Sequence, residues 1–181
     1  MRTFYFCIMD IRSAQNANLT ERKKLYEILR IAYALTEIEV WGENYVRINF
    51  EDFNKLIEKD EIIAAWLNDE PVGSIHTYQR SADTWSFSLL STDFDKKGNG
   101  IGQALIDAAE NRAKSRGGKY MQLEILRPRD MEVPFKLRLD AWYRKLGYQF
   151  THAEDFSKVK PIKAKNLVNP CNFDYYKKSL H

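Results

Sequence analysis

Histidine and cysteine are scarce in this chain, with three and two copies among 181 residues. Cys7 and Cys171 stand at opposite ends, and neither falls in a CxxC or metal-ligand spacing. That excludes a disulfide framework and a zinc site written in the sequence, and no metal is expected. Two free thiols suit a reducing compartment, so a cytoplasmic protein is expected. Glycine and proline number eight and five, with no low-complexity tract, repeat or linker. No apolar run approaches the roughly 18 residues that a membrane helix needs. The opening MRTFYFCIMDIRSAQNA is broken by Asp10 and Arg12 and reads as a strand, not a signal peptide. A net charge of +3 falls well short of a dedicated nucleic-acid binder. Neither a membrane nor a nucleic acid is therefore expected as partner.

What is present is an ordinary globular composition, 44% hydrophobic and 29% charged. Its length suits one domain over residues 1–181. A strand is expected from Phe4 to Ile11. A helix follows, with Thr20 as N-cap and Leu25, Ile28, Leu29, Ala32 and Leu35 on one face. Phe50 to Lys59 reads as a shorter helix. Residues 61–79 hold two apolar runs joined by an NDEP loop, and a further strand starts at Thr84. A helix after Gly100 carries Ile101, Leu105 and Ala108 on one face and stops at Gly117–Gly118. Lys119 to Ile125 is a strand. A helix with the stripe Phe135, Leu139, Trp142 and Leu146 ends at Gly147. A strand from Tyr148, a basic loop and a last strand, CNFDYYKKSL, complete one mixed α/β layer domain.

The most informative stretch is DKKGNGIGQAL, Asp95 to Leu105. A helix opens with backbone N–H groups that lack internal partners and with the positive end of its macrodipole. Together these make a phosphate site. Gly98, Gly100 and Gly102 remove the Cβ atoms that would keep an anion away, and Lys96 and Lys97 add charge. No Gly-Lys-Ser or Gly-Lys-Thr follows, so this is not a P-loop. Leu105 stands where a dinucleotide fingerprint would need glycine.

The run Lys97-Gly98-Asn99-Gly100-Ile101-Gly102 resembles the Q/R-x-x-G-x-G/A signature of the GNAT (Gcn5-related N-acetyltransferase) superfamily. WYRKLGY, with Tyr143, Gly147 and Tyr148, resembles the family's Tyr-x-x-x-Gly-aromatic signature. PVGSI at Pro71 to Ile75 looks like its third strand. The likeness covers residues 60 to 156 in sequence and the ends by element order. It implies a mostly antiparallel sheet of six to seven strands, splayed in the middle and flanked by helices. It also implies that acetyl-CoA lies in that gap as acyl donor. The pantetheine would pair with the backbone of Leu90, Ser91 and Thr92, and the pyrophosphate would sit on the turn from Lys97 to Gln103. One departure is Lys136, where many members carry Asn seven residues before the tyrosine.

The resemblance makes Tyr143 the acid beside the departing sulfur. The proton acceptor is taken as Glu124, with His76 and Asp93 as alternatives; each can also be a purely structural residue. The implied activity is transfer of an acetyl group to a primary amine, in a small molecule or a peptide, by direct attack in a ternary complex. The alternative is a catalytically silent CoA-binding or regulatory module. The resemblance implies that the early helices wall the acceptor side, so eight acids against three bases between Glu37 and Glu61 imply an acidic wall and a cationic acceptor. The terminal strand could pair at a sheet edge with a second copy of the chain.

Overall fold

The computed structural model describes residues 9–181. Residues 4–8 of the expected first strand lie outside them. The first described strand, β1, is Met9–Ser13. Helix α1 spans Leu19–Thr36. Its N-cap is Asn18 rather than Thr20: Asn18 accepts from the Glu21 N–H at 3.0 Å, and Glu21 accepts from the Asn18 N–H at 2.7 Å. This reciprocal pair satisfies two donors at once, where a threonine two residues later would satisfy one. Leu35, expected on the buried face, is 61% exposed. The stripe ends at Ala32 because the last turn of the helix lines a cleft.

A single-turn helix that the sequence reading did not separate, α2 (Ile38–Trp41), and α3 (Phe50–Glu58) follow. Strands β2 (Ile62–Leu67) and β3 (Glu70–Gln79) form a hairpin. Its turn is tighter than the expected NDEP loop. Only Asn68 and Asp69 connect the strands, both at positive φ, as a two-residue hairpin requires. Strand β4 (Thr84–Thr92) leads into a 3₁₀ turn at Phe94–Lys96 and then helix α4 (Ile101–Ser115). Then come β5 (Tyr120–Pro128), α5 (Pro134–Lys145) and β6 (Gln149–Asp155). Within the expected basic loop the chain makes two single-turn helices, α6 (Phe156–Val159) and α7 (Pro161–Ala164). Strand β7 (Cys171–Ser179) ends the fold.

The seven strands form one sheet in the order β1-β2-β3-β4-β5-β7-β6. Strand β7 therefore lies between β5 and β6 rather than at an edge, and its backbone is not free to pair with a second copy. Strand β2 is buried along its whole length because both faces are covered. Ile63, Ala65 and Leu67 pack with the α4 core, and Ile62, Ala64 and Trp66 pack against α1 and α3. On α4 the buried residues are Ile101, Leu105, Ile106, Ala109, Glu110 and Ala113, so the face is turned from the expected one through Ala108.

All neighbouring strands are antiparallel except β4 and β5. That parallel pair is short: Thr84, Trp85 and Ser86 pair with Tyr120, Met121 and Gln122, and the ladder stops. Beyond it the two strands part. The departure is built into β4 by a bulge, where Leu89 and Leu90 oppose the single residue Ile75 of β3. Leu89 takes φ of 51°, a region that a branched non-glycine residue rarely enters. Gly73 permits the close approach on the β3 side: a Cβ there would stand 2.7 Å from the Ser91 carbonyl oxygen.

Side-chain ties hold the parted halves. Glu37, between α1 and α2, accepts from Lys136 of α5 at 2.7 Å, from Arg47 at 2.8 Å and from the Trp41 indole at 2.9 Å. Arg80 at the end of β3 reaches over to Glu124 of β5. At the other end of α5, Tyr148 donates to buried Glu110 of α4 at 2.7 Å, and Lys178 of β7 meets the same carboxylate at 2.8 Å. Within the β5–β7 half, Tyr176 of β7 bonds Asp140 of α5.

Two stability predictions follow from these contacts. Gly73→Ala should lower the urea midpoint by an amount equivalent to about 1–3 kcal/mol, with the slope unchanged, because the new methyl group meets backbone. An unchanged midpoint would mean that β3 and β4 can separate freely. Glu37→Gln should destabilise by about 3–5 kcal/mol, since Lys136 is left buried without its anion. Burial works against the Glu37 carboxylate, but Arg47, Lys136 and Trp41 outweigh it and hold its pKa below the ordinary value of 4.5. A depressed folded-state pKa stabilises above the unfolded value and is lost as pH falls below it. The gap between wild type and Glu37→Gln should therefore be full at neutral pH and shrink below about pH 4.5. A gap independent of pH would contradict the assignment.

Candidate active site

The parting of β4 and β5 opens a cleft of about 310 Å³. Phe87 to Thr92 form one wall and Leu123 to Leu126 the other. Ala32, Tyr33 and Thr36 of α1 close one side, and Phe135, Lys136, Leu139, Trp142 and Tyr143 of α5 close the opposite one. Past Ser86 the β4 edge that faces the cleft has no strand partner. Leu90, Ser91 and Thr92 all line this stretch. Ser91 Oγ is buried and has no hydrogen-bond partner among the described residues.

The glycine turn meets one end of the cleft. Gly98 and Gly100 take φ of 86° and 70°, and a Cβ at either would meet nothing within 4 Å. Gly100 caps α4 without any side-chain acceptor, and the first turn holds no acidic residue. The first internal bond of this helix is from the Ala104 N–H to the Gly100 carbonyl. The amides of Ile101, Gly102 and Gln103 thus point out of the helix unpaired, whereas α1 and α3 each carry an asparagine cap. The side chains here are otherwise engaged. Ile101 packs into the core, Gln103 bonds Asp107 at 2.8 Å, and Asn99 bonds the Lys96 carbonyl at 3.0 Å. Lys97 lines the cleft with its amine 4.5 Å from the Phe94 ring. Gly102 differs from its two neighbours. A Cβ there would meet the Trp142 ring at 3.3 Å, so its smallness lets α5 approach α4 rather than clearing space for an anion.

On α5 the expected polarity is reversed. Phe135, Leu139, Trp142 and Leu146 are half-buried, and the two fully buried side chains are Lys136 and Tyr143. The helix lies over an open cleft rather than a closed core, so the side chains that point most directly into it are the covered ones. Tyr143 packs against Phe87 and Tyr148 at ring distances of 5.9 and 6.0 Å. Burial raises its phenol well above 10, with Tyr33 across the cleft adding to the effect. Burial likewise pushes the Tyr33 phenol up to about 12, against the pull of Arg47, whose guanidinium lies 4.7 Å from the Tyr33 ring centre.

The three proton-acceptor candidates are dispersed. Glu124 lines the cleft, but Arg80 and the Gln122 amide already occupy one of its oxygens. Asp93 caps the 3₁₀ turn by accepting from the Asp95 N–H at 3.0 Å. His76 is inside the sheet and touches the cleft only through Ser88. The acids between Glu37 and Glu61 do not form a wall to the cleft. Glu37 alone among them lines it, between Arg47 and Lys136. Glu51 and Asp52 pair with Lys55, Asp60 with Arg112 and Arg116, and Glu61 with His76. The ground for a cationic acceptor is thereby removed.

Several lining groups were not evident in the sequence: Leu89, Ser88, Tyr33 and the Glu37–Arg47–Lys136 cluster. A leucine at positive φ leaves no sequence signature, and ion partners 99 residues apart leave no periodicity. Among the described residues no group of His, Cys, Asp or Glu side chains could hold a metal ion, and no helix is long and apolar enough to cross a membrane.

The acetyltransferase (GNAT) domain family matches residues 29–159. No curated protein matches the chain. Among solved structures, an aminoglycoside 6'-N-acetyltransferase complexed with coenzyme A is similar, with TM-score 0.70 and 19% identity over 95% of this chain and 97% of that one. The aminoglycoside 6'-N-acetyltransferase from Enterococcus faecium gives 0.68 and 19% over the same shares. The N-acetylglutamate synthase from Neisseria gonorrhoeae gives 0.66 and 13%, over 97% of this chain and 36% of that one. An uncapped glycine turn, a bulged central strand and a buried tyrosine meeting in one split sheet agree with the family match, and the chain belongs to the GNAT acetyltransferases.

Proposed function

We propose that the protein transfers an acetyl group from acetyl-CoA to a primary amine, by direct attack within a ternary complex. The observation that carries this reading is a single cleft in which an unpaired strand edge, an uncapped helix N-terminus and a buried phenol come together. The amides of Ile101, Gly102 and Gln103 suit the pyrophosphate, with Lys97 beside them. The open β4 edge at Leu90 to Thr92 suits the extended pantetheine, which would take the place of a missing strand, and Ser91 Oγ offers one further bond. Acetyl-CoA supplies the activated acyl group.

The chain's own contribution is position and proton management. The bulge at Leu89 and Leu90 breaks the pairing with β3, and bulge amides freed in this way suit a carbonyl oxygen that gains charge. Tyr143 stays protonated throughout neutral pH. A thiol of ordinary pKa, about 8.5, is a stronger acid than this phenol. Tyr143 therefore serves first as a hydrogen-bond donor to the departing sulfur, and full proton transfer follows only as the thiolate is desolvated. Glu124, clamped by Arg80, suits an acceptor for the amine's N–H groups rather than the base. Neighbours named for aminoglycosides and for N-acetylglutamate differ in acceptor charge, and a cleft holding Arg47 and Lys136 against Glu37 sets no preference for a cation.

Acetyl-CoA at 100 times its dissociation constant should stabilise the fold by about 2.7 kcal/mol. A melting temperature unmoved by millimolar acetyl-CoA would refute the binding assignment. Gly100→Val should abolish that shift, because the positive φ it must adopt costs about 1–2 kcal/mol and distorts the amide cradle. Across a panel of primary amines, read by release of free thiol, Tyr143→Phe should lower kcat by about 10²-fold. Its melting shift with acetyl-CoA should match wild type, since the ring remains. Wild-type kcat in the Phe variant would reduce Tyr143 to a packing residue.

A further inference from the structure

A line of three polar side chains leads out of the cleft across the sheet. Ser88 of β4 lines the cleft. Its hydroxyl is 2.9 Å from Nδ1 of His76, which stands directly opposite it on β3. Nε2 of His76 is 3.0 Å from Oε2 of Glu61, just before β2. The imidazole side chain is only 13% exposed, while Glu61 is 31% exposed and opens to solvent.

The hydrogen-bond roles follow from elementary chemistry. An ionised carboxylate only accepts, so the Glu61 contact fixes the ring proton of a neutral imidazole on Nε2. Nδ1 then carries the lone pair, and Ser88 must donate to it. The lone pairs of the Ser88 oxygen are left free to accept, on a residue that lines the cleft. This is the order hydroxyl, imidazole, carboxylate by which a hydroxyl gives up its proton in serine hydrolases. Here the hydroxyl stands beside the bulge at Leu89, on the wall opposite Glu124.

On the reading of the protein as an amine acetyltransferase, we propose that Ser88 and His76 form a proton relay that deprotonates the attacking amine, with Glu61 as the positioning residue. As the new C–N bond forms and the C–S bond breaks, the amine nitrogen gives a proton to Ser88 Oγ, and the Ser88 proton moves to His76 Nδ1. The imidazolium is held by Glu61 and returns its proton to water. Tyr143 serves the sulfur on the other side, so the donor to the sulfur and the acceptor of the amine's proton are separate groups. Ser88 ends the cycle as a free hydroxyl, and no covalent acyl-enzyme forms.

The surroundings of the ring favour a neutral imidazole that is ready to accept. Burial is the main influence and lowers its pKa from 6.5; the hydrogen bond and charge of Glu61 pull upward, and Lys59 adds to the lowering. Tyr78 stacks on the ring at 4.9 Å.

The test has two arms on the full-length protein. Nitrogen-15 NMR of the histidine rings, with His76 assigned by its loss in His76→Gln, should show the Nε2–H tautomer at pH 7. Ser88→Ala should move the Nδ1 resonance toward that of an unbonded lone pair. An Nδ1–H tautomer would overturn the relay. The kinetic arm uses whichever amine of the panel wild type acetylates. Ser88→Ala and His76→Gln should each lower kcat by about 10²-fold, and the double variant should be no slower than either. Ser88→Thr, which keeps the hydroxyl, should recover most of the loss. Log kcat of Ser88→Ala should continue to rise with pH where wild type has levelled, a change that lost packing would not produce. Wild-type kcat in Ser88→Ala would overturn the proposal, as would acetylated Ser88 in the mass spectrum after acetyl-CoA alone. Should no amine be acetylated by wild type, the acetyltransferase reading fails by itself, and the NMR arm still decides the relay.

Discussion

The structure depends on where the ladder between β4 and β5 stops. Three residue pairs join the halves of the sheet, and beyond Ser86 and Gln122 the backbone groups of two central strands are left without each other. Buried backbone donors and acceptors must find partners. The fold leaves them facing the cleft between the two strands. The ties around the gap are then required. Glu37 to Lys136, Arg80 to Glu124 and Tyr148 to Glu110 each connect elements that the sheet no longer connects. Lys136 shows how one substitution is absorbed. The family position is often Asn, and here a buried ammonium takes it, with Glu37 as its anion. The ion pair forms a charge-assisted strut between α5 and α2.

The same gap explains the distribution of glycine. Gly98 and Gly100 are needed for their φ values, and neither is close to anything that a side chain would strike. Gly73 and Gly102 are needed for proximity: one lets β3 meet the backbone of bulged β4, and the other lets α5 meet α4. Positive φ shapes the turn into α4, and small volume sets the cleft walls. A substitution series should not treat the three glycines of the turn as equivalent.

How much of this could be read beforehand depended on the range of each signal. The α4 turn and Tyr143 belong to local motifs, legible because each is written in a short spacing. The strand and helix order was legible for the same reason, apart from single-turn α2, α6 and α7, which are too short to have a period. The α1 cap went to Asn18 because a reciprocal side-chain pair outweighs a lone hydroxyl. The rest is set by pairing across the sheet. Strand β7 entered between β5 and β6, which nothing in CNFDYYKKSL reveals. The burial of Tyr143 over its apolar neighbours needed knowledge that α5 covers an opening. Ser88 sits in a run, TWSFSLLST, that reads as plain strand; only the register with His76 gives it a partner.

Burial acts in opposite directions on Tyr143, which lines the cleft, and on His76, which lies behind Ser88, and this links the fold to the proposed chemistry. A low-dielectric surrounding disfavours whichever form is charged. For the Tyr143 phenol the charged form is deprotonated, so burial keeps the proton on. For the His76 imidazole the charged form is protonated, so burial keeps the proton off. On the proposed reading, one side can thus hold a donor and the other an acceptor at the same pH. The carboxylates nearby are paired: Glu37 between two cations, Glu124 on Arg80, Glu61 on the far side of the ring. A hydroxyl at Ser88 is then the one group on the β4 wall that can carry a proton from the cleft to the imidazole behind it.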